Sequence, residues 1–107
     1  MTAAEALRPV DDTRRKSLAP DVADVPYGPH ERCRLDLYLP EASGPTPVVV
    51  LIHGGGFKAG DKRAWGDNTV TRDLLAEGVA CAAINYPLLD SMPIQDILRQ
   101  CGVAVQF

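Results

Sequence analysis

Three consecutive glycines, Gly54, Gly55 and Gly56, form the segment of this sequence whose residue types are best suited to chemistry. They lie between His53 and Phe57 and directly follow the apolar, β-branched stretch VVVLI. Consecutive glycines cost backbone entropy, and α/β sheets bind their ligands beyond the carboxyl ends of parallel strands. Without Cβ atoms, main-chain N–H groups can turn into a cleft and meet a negatively charged oxygen. The pattern therefore indicates an oxyanion hole built from backbone amides.

The elements that must position this loop are a strand, a helix and a second strand. Positions 48–52 are apolar on both faces, which predicts a central strand covered by helices. Asp67 or Asn68 can cap the following helix, and Gly78 can end it. The predicted buried stripe of this helix consists of Val70, Leu74 and Leu75. Positions 79–84 predict a second buried strand, so the three elements form a right-handed, parallel βαβ unit.

The segments before the loop predict antiparallel outer strands. Positions 22–29 are strand-like but contain Pro26, Gly28 and Pro29, which confine a strand to an edge or end it. Positions 33–39 alternate between leucines and polar residues, as expected of an outer strand with one wet face. That wet face consists of Arg34, Asp36 and Tyr38.

An amphipathic helix is predicted to end the chain, with Ser91 as its cap and Pro93 in its first turn. Its apolar face is expected to lie on a sheet and consists of Ile94, Ile97, Leu98, Cys101 and Val105. No stop signal or returning strand follows before Phe107, although each helix of a doubly wound sheet leads to another strand. At the other end of the chain, we expect residues 1–21 to be a flexible arm or small cap. Residues 22–107 are expected to form part of an α/β domain that is incomplete at its C-terminus.

Composition excludes several classes of function. The 107 residues include 11 basic and 14 acidic side chains, for a formal net charge of -3, and the single dense basic run at positions 14–16 is a poor nucleic-acid surface. The apolar stretches are far shorter than the roughly 18 residues of a membrane span, and the N-terminus lacks the apolar core of a signal peptide. Three cysteines, Cys33, Cys81 and Cys101, fit buried small side chains in a reducing compartment. We therefore expect a cytoplasmic protein that binds neither nucleic acid nor membranes.

The sequence resembles the α/β-hydrolase superfamily, in particular the carboxylesterase and lipase branch with an HGGG motif after its third strand. The likeness extends from about position 25 to position 107. Its anchors are YGP at 27–29, LDLYLP at 35–40, VVVLIHGGGF at 48–57, GDK at 60–62 and AINY at 83–86.

The resemblance implies a serine ester hydrolase acting on a small-molecule ester without a metal or cofactor. The N–H groups of Gly55 and Gly56, with a third from the residue after the nucleophile, would hold the tetrahedral intermediate. His53 and Gly54 would shape the loop, and His53 would not be the catalytic base.

The sequence departs from this branch at the nucleophile. The only serines, Ser17, Ser43 and Ser91, lie outside any G-x-S-x-G motif. The resemblance places the nucleophile, the acid and the catalytic histidine beyond Phe107. We therefore expect the 107-residue chain to supply the oxyanion loop without the nucleophile, and to be inactive alone.

Other functions remain open on sequence alone. An arylformamidase-like amide hydrolase has the same fold and a similar glycine loop. A non-catalytic fragment could instead bind a partner through an unfilled sheet edge. A dinucleotide-binding domain fits formally, since GGGFKA at 54–59 matches G-x-G-x-x-A. However, that motif needs a helix opening within it and an acidic residue at position 85, where the sequence has Asn85.

Several side chains near the loop have two interpretations each. Phe57 and Trp65 could line an acyl pocket or simply pack locally. Lys62 and Arg63 are interpreted as solvated loop charges, whereas Asp61 is expected to pair locally and fix the loop.

Overall fold

The computed structural model describes residues 18–41 and 44–107, so most of the predicted arm at residues 1–21 lies outside the described residues. The elements in chain order are β1 (Val22–Pro26), β2 (Arg34–Tyr38), β3 (Val48–Ile52), a 3₁₀ helix (Lys62–Asp67), α1 (Thr69–Ala76), β4 (Ala80–Ile84) and α2 (Ile94–Gln106). None of the helices in these ranges is long and apolar enough to cross a membrane. At the start of the described chain, the Leu18 amide donates to the Gly66 carbonyl at 2.8 Å.

The four strands form one mixed sheet in the order β1-β2-β4-β3. β1 pairs antiparallel with β2, and β2 pairs antiparallel with β4. β3 and β4 are parallel, from Val48 opposite Ala80 to Ile52 opposite Ile84. The predicted parallel βαβ unit of β3, α1 and β4 is therefore confirmed, as is the antiparallel pairing before it.

Two apolar clusters lie on opposite faces of this sheet, because neighbouring residues of β4 point to opposite sides. The cluster under α2 includes Leu35, Ile84, Ile97, Cys101 and Ala104. The cluster under α1 and the 3₁₀ helix includes Tyr38, Leu51, Cys81 and Ala83, with Trp65, Leu74 and Leu75 packed against them. The three cysteines are buried and free, as predicted, and burial raises the pKa of each thiol.

The place of β3 in the sheet differs from the prediction. The sequence predicted a central strand, but β3 lies at an edge and pairs only with β4 among the described residues. Its outer positions are open to solvent, with Val48 57% exposed. β4 takes the central place and is buried along its whole length. The residues of β3 are all apolar, but apolar residues do not determine which strands lie beside it.

β2 is also not an outer strand, since it lies between β1 and β4. Two residues of its predicted wet face, Asp36 and Tyr38, are buried. The 3₁₀ helix covers that face, with Trp65 beside Tyr38 and the Lys62 ammonium against Asp36. The prediction of a solvent-exposed face is wrong because the 3₁₀ helix, which comes later in the chain, covers that face.

The ends of α1 follow the prediction, whereas its buried stripe differs by one residue. The Asn68 side chain accepts a hydrogen bond from the Val70 amide, and Gly78 follows the helix with φ +79°. Val70 itself is exposed, and Thr71 is the buried residue of this helix. The helix is rotated so that its inner face contains Thr71, Leu74 and Leu75, which are three and four positions apart.

α2 begins without a side-chain cap. Pro93 occupies its N-cap, whereas the hydroxyl of Ser91, the predicted cap, donates to the Asp90 carboxylate. The buried residues are Ile97, Cys101 and Ala104, which lie on one line along the helix. Ile94, Leu98 and Val105, predicted to be in the apolar face, are exposed. Leu98 and Val105 are seven positions apart and lie on the same side of that line, whereas Ile94 is in the first turn of the helix.

Candidate functional site

The glycine loop leaves the carboxyl end of β3 and winds in the left-handed sense. Gly55, Gly56 and Phe57 have φ values of +124°, +62° and +62°. A phenylalanine in this region is strained, and such strain concentrates at functional sites. The Gly55 carbonyl closes the turn by accepting the amides of Lys58 and Ala59 at 3.1 and 3.3 Å.

The amides of Gly54, Gly55 and Gly56 have no hydrogen-bond acceptor among the described residues. All three glycines are exposed, and a Cβ at Gly54 or Gly56 would meet no atom within 4 Å. A Cβ at Gly55, in contrast, would overlap the Ala59 carbonyl. The loop thus leaves main-chain donors unpaired beside open space, while its own path requires glycine at position 55.

His53 lies buried beneath this loop, and its ring is stacked on Tyr86 with centroids 4.3 Å apart. Its Nδ1 lies 2.8 Å from the Gly54 carbonyl oxygen, which can only accept a hydrogen bond. The Tyr86 hydroxyl donates its one proton to the His53 carbonyl at 2.6 Å. That hydroxyl also lies 3.2 Å from Nδ1, where it must act as an acceptor. These neighbours assign the ring proton to Nδ1.

Arg32 joins the two ends of the loop. Its Nε donates to the Tyr86 carbonyl and its Nη2 to the Gly60 carbonyl, both at 2.9 Å. Nη2 also lies 3.5 Å from His53 Nε2. Gly60 packs so closely on His53, with φ +110°, that a Cβ there would overlap the imidazole ring. Sequence reasoning missed Arg32, because its partners are distant in the chain and it belongs to no motif.

A second set of hydrogen bonds holds the segment after the loop. Asp61 accepts the Arg63 amide at 2.9 Å and the Asn85 side-chain amide at 3.2 Å. The Asn85 side-chain oxygen in turn accepts the Lys62 amide at 2.8 Å, and the Asn85 main-chain carbonyl accepts the Tyr27 hydroxyl. Asp61 therefore pairs locally, as predicted. Burial alone would raise the pKa of its carboxyl, but the hydrogen bonds from Arg63 and Asn85 and the Lys62 charge hold that pKa below its usual value.

Lys62 contradicts the prediction of a solvated charge. It is 4% exposed, and its ammonium lies 2.8 Å from Asp24 and 3.0 Å from Asp36. Burial by itself would lower the pKa of this lysine, but hydrogen bonds and charge from the two carboxylates raise it. Arg63 does remain solvated, with its side chain 87% exposed. A β-bulge in β1, where Asp24 has φ +55°, brings Asp24 to the lysine.

The two aromatic residues proposed for an acyl pocket are not brought together. Phe57 lies 5.7 Å from Tyr86 between ring centroids and packs against the cluster under α2. Trp65 packs into the cluster on the opposite face of the sheet. Phe57 alone is therefore beside the loop.

Dinucleotide and metal binding receive no support from the geometry around the loop. The loop leads into the 3₁₀ helix, and α1 begins only at Thr69, so the helix that follows the glycines does not open within the motif. In the described ranges, no group of three or more His, Cys, Asp or Glu side chains is arranged to hold a metal ion.

Comparison with known families matches residues 35–107 to the BD-FAE model. Among curated proteins, a probable isoprenylcysteine alpha-carbonyl methylesterase of Arabidopsis thaliana is 36% identical over 84 residues, covering 78% of this chain and 17% of that protein. Kynurenine formamidase of Danio rerio is 36% identical over 76 residues, covering 70% of this chain and 25% of that protein. The chain thus spans a quarter or less of these two relatives.

Solved structures with a similar fold cover most of this chain. A protein of Silicibacter sp. tm1040 assigned as a thioesterase has a TM-score of 0.70 and 34% identity, over 80% of this chain and 32% of its own. Esterase B of Lactobacillus rhamnosis has a TM-score of 0.69 at 23% identity, over 88% of this chain and 32% of its own.

Proposed function

The chain belongs to the BD-FAE family and has the fold of the amino-terminal part of an α/β-hydrolase, and from that premise we propose that it supplies the oxyanion-hole loop of a serine carboxylic ester hydrolase. One observation carries this proposal. The amides of Gly55 and Gly56 have no hydrogen-bond acceptor among the described residues, and both glycines are exposed to solvent after a parallel strand. Two donors in that arrangement suit an oxygen that gains negative charge during a reaction.

In the proposed reaction, a serine supplied from outside these 107 residues attacks the ester carbonyl carbon. A histidine base accepts the serine proton, and the carbonyl π electrons move to the oxygen, which becomes an alkoxide. The amides of Gly55 and Gly56 donate to that alkoxide more strongly than to the neutral carbonyl. When the alkoxide reforms the carbonyl, the alcohol leaves with the proton, and water then releases the acid by the same steps.

The remaining residues of the loop prepare these donors before substrate arrives. His53 and Gly54 shape the loop through the Nδ1 hydrogen bond of 2.8 Å, and Tyr86 supports His53 from below. Preorganised donors need no rearrangement as charge develops, so the loss of one typically costs about 10²- to 10³-fold in rate. His53 is already engaged on both ring nitrogens, which argues against its acting as the catalytic base.

The test compares the 107-residue chain with the complete protein that contains it. We expect the complete protein to hydrolyse p-nitrophenyl acetate and to react covalently with a fluorophosphonate probe. The isolated chain should do neither and should associate through the exposed edge of β3, as sedimentation would reveal. Esterase activity proportional to the concentration of the purified isolated chain would contradict this division of roles.

A second candidate is an amide hydrolase of the arylformamidase type. The observation that favours it is the 36% identity to kynurenine formamidase over 70% of this chain. The two functions use the same oxyanion chemistry and differ in the leaving group of the substrate, an alcohol or an amine, which is not held by the glycine loop. Turnover of an N-formyl arylamine and of the matched aryl formate by the complete protein would separate them.

A further inference from the structure

Arg32 connects the end of the glycine loop, at Gly60, to the segment that follows β4, at Tyr86. We propose that Arg32 is a positioning residue, which holds the His53 ring in one tautomer and fixes the path of the loop from Gly54 to Gly60. The inference rests on the proposed function for its kinetic consequence, but its structural part does not.

The hydrogen bonds of Arg32 act on the Gly60 end of the loop directly and on its His53 end through Tyr86. The Gly60 carbonyl and the Tyr86 carbonyl each accept from the guanidinium at 2.9 Å. Gly60 in turn packs against the His53 ring, and the Tyr86 hydroxyl holds the His53 carbonyl. A planar guanidinium can bridge two such acceptors in fixed directions, which a lysine ammonium cannot.

The guanidinium also decides which nitrogen of His53 can carry the ring proton. Arginine only donates hydrogen bonds, so Nε2, 3.5 Å from Nη2, must stay without a proton to face it. On the other side of the ring, Nδ1 faces the Gly54 carbonyl and needs a proton. Moving the proton to Nε2 would oppose it to Arg32 and place two acceptors, Nδ1 and the Gly54 oxygen, 2.8 Å apart. The arginine and the loop therefore select the same tautomer.

The contacts of Arg32 are to neutral acceptors, and it makes no ion pair with a described carboxylate. Its contribution could thus be geometric or could come from its charge alone. Arg32→Lys separates these, because it keeps the charge and loses the fork of donors. Our proposal assigns the effect to geometry.

Without the bridge, the Gly60 end of the loop and the His53 ring each lose a partner. The Gly54 carbonyl is then free to turn, and the amides that follow it turn as well. A displacement of about 1 Å in a catalytic group can lower a rate about 10²-fold. Because the amides act on the transition state, the loss should appear in kcat and much less in KM.

The experiment uses the complete hydrolase with Arg32→Gln and Arg32→Lys, and with Arg99→Gln as the matched control. Arg99 is exposed, and its one ion pair with a described residue is to Asp96 on α2. Long-range ¹H–¹⁵N NMR of the imidazoles reports the tautomer of His53, assigned by a His53→Gln spectrum. Steady-state hydrolysis of p-nitrophenyl acetate reports kcat and KM, and thermal melting monitors folding.

We expect wild-type His53 to carry its proton on Nδ1, and both Arg32 variants to show the Nε2 tautomer or exchange between the two. In both variants kcat should fall about 10- to 100-fold, with KM changed less than about 3-fold, and Arg99→Gln should match the wild type. Full kcat in Arg32→Lys would assign the effect to charge and overturn the proposal.

A wild-type His53 with its proton on Nε2 would overturn the proposal even if the variants fail to fold. An inactive wild type with the expected Nδ1 tautomer would instead contradict the proposed function, while the tautomers of the variants still decide the role of Arg32.

Discussion

Replacing Gly55 with alanine tests the oxyanion loop most directly. The residue has φ +124°, a conformation that side chains rarely adopt, and the new Cβ would overlap the Ala59 carbonyl oxygen. That carbonyl belongs to backbone, so it cannot turn aside as a flexible side chain could. The turn that the Gly55 carbonyl closes with Lys58 and Ala59 must open to admit the methyl group.

The expected size of the effect follows from what the opening displaces. The Gly55 amide belongs to the same residue and its direction changes with the turn, so at least one donor is withdrawn from the alkoxide. Loss of one oxyanion donor costs about 10²- to 10³-fold in kcat, or roughly 3 to 4 kcal/mol of transition-state stabilisation. KM should change little, because the donor is used mainly in the transition state. Backbone strain costs about 1 to 3 kcal/mol of stability in addition.

The assay is hydrolysis of p-nitrophenyl acetate by the complete protein below the melting temperature of the variant. The control is Gly102→Ala in α2, where the added Cβ meets no atom within 4 Å and φ is not positive. Alanine there should raise stability by up to about 1 kcal/mol and leave kcat unchanged. If Gly55→Ala folds and keeps kcat within about 3-fold of the wild type, the loop does not act through the Gly55 amide.

The ion network around Lys62 gives the remaining predictions. Lys62→Met should lower the free energy of unfolding in urea by about 3 to 5 kcal/mol, because it leaves the buried Asp36 without a counter-charge. Asp24→Asn should cost much less, since Asp24 is 67% exposed, and equal losses would refute this account. The hydrogen bond from Lys62 lowers the pKa of Asp24 from 3.8, so the stability difference between wild type and Asp24→Asn should persist above pH 3.8 and vanish as the pH falls further. The raised pKa of Lys62 predicts that its contribution is complete below pH 10.5 and is lost at higher pH, a loss that Lys62→Met should not show in urea titrations.

The ends of α1 and the βαβ unit could be predicted because their signals are local. The Asn68 side chain caps α1 by accepting the amide of Val70, two residues later. Gly78 follows the helix with a positive φ, which a helix cannot continue through. The apolar run at positions 79–84 predicted the burial of β4 correctly. These features depend on neighbours within one or two turns of chain.

The order of the strands and the burial of Lys62 could not be predicted, because both depend on distant partners. An apolar run does not reveal whether strands lie on both of its sides, so the sequence predicts a central β3, whereas among the described residues β3 lies at the edge. Lys62 follows a glycine loop, where a charge is normally solvated. Its carboxylates come from β1 and β2, and the alternation of β2 gave no sign that Asp36 faces a cation.

The glycine loop itself could be located from sequence, but not the side chains that hold it. His53 and its three glycines form a motif that can be read directly. Tyr86 is brought to that motif by the pairing of β3 with β4, and Arg32 by the pairing of β2 with β4. The acyl-pocket prediction for Trp65 has the same weakness, since sequence proximity does not determine the face of the sheet.

The sheet order also predicts when the loop acquires its final shape during folding. β3, α1 and β4 are consecutive in the chain and can associate early. β2 pairs with β4, so it can join the sheet only after β4 is in place, and the longer loop between β2 and β4 makes the entropy cost of closure larger than for β3 and β4. Arg32 lies two residues before β2, so its bridge to Gly60 and Tyr86 is expected to form with that late step. If β1 and β2 detach in a partial opening, the bridge is lost while the rest of the sheet persists. If the complete protein hydrolyses esters as proposed, its activity should be acquired last on refolding and lost first on mild denaturation.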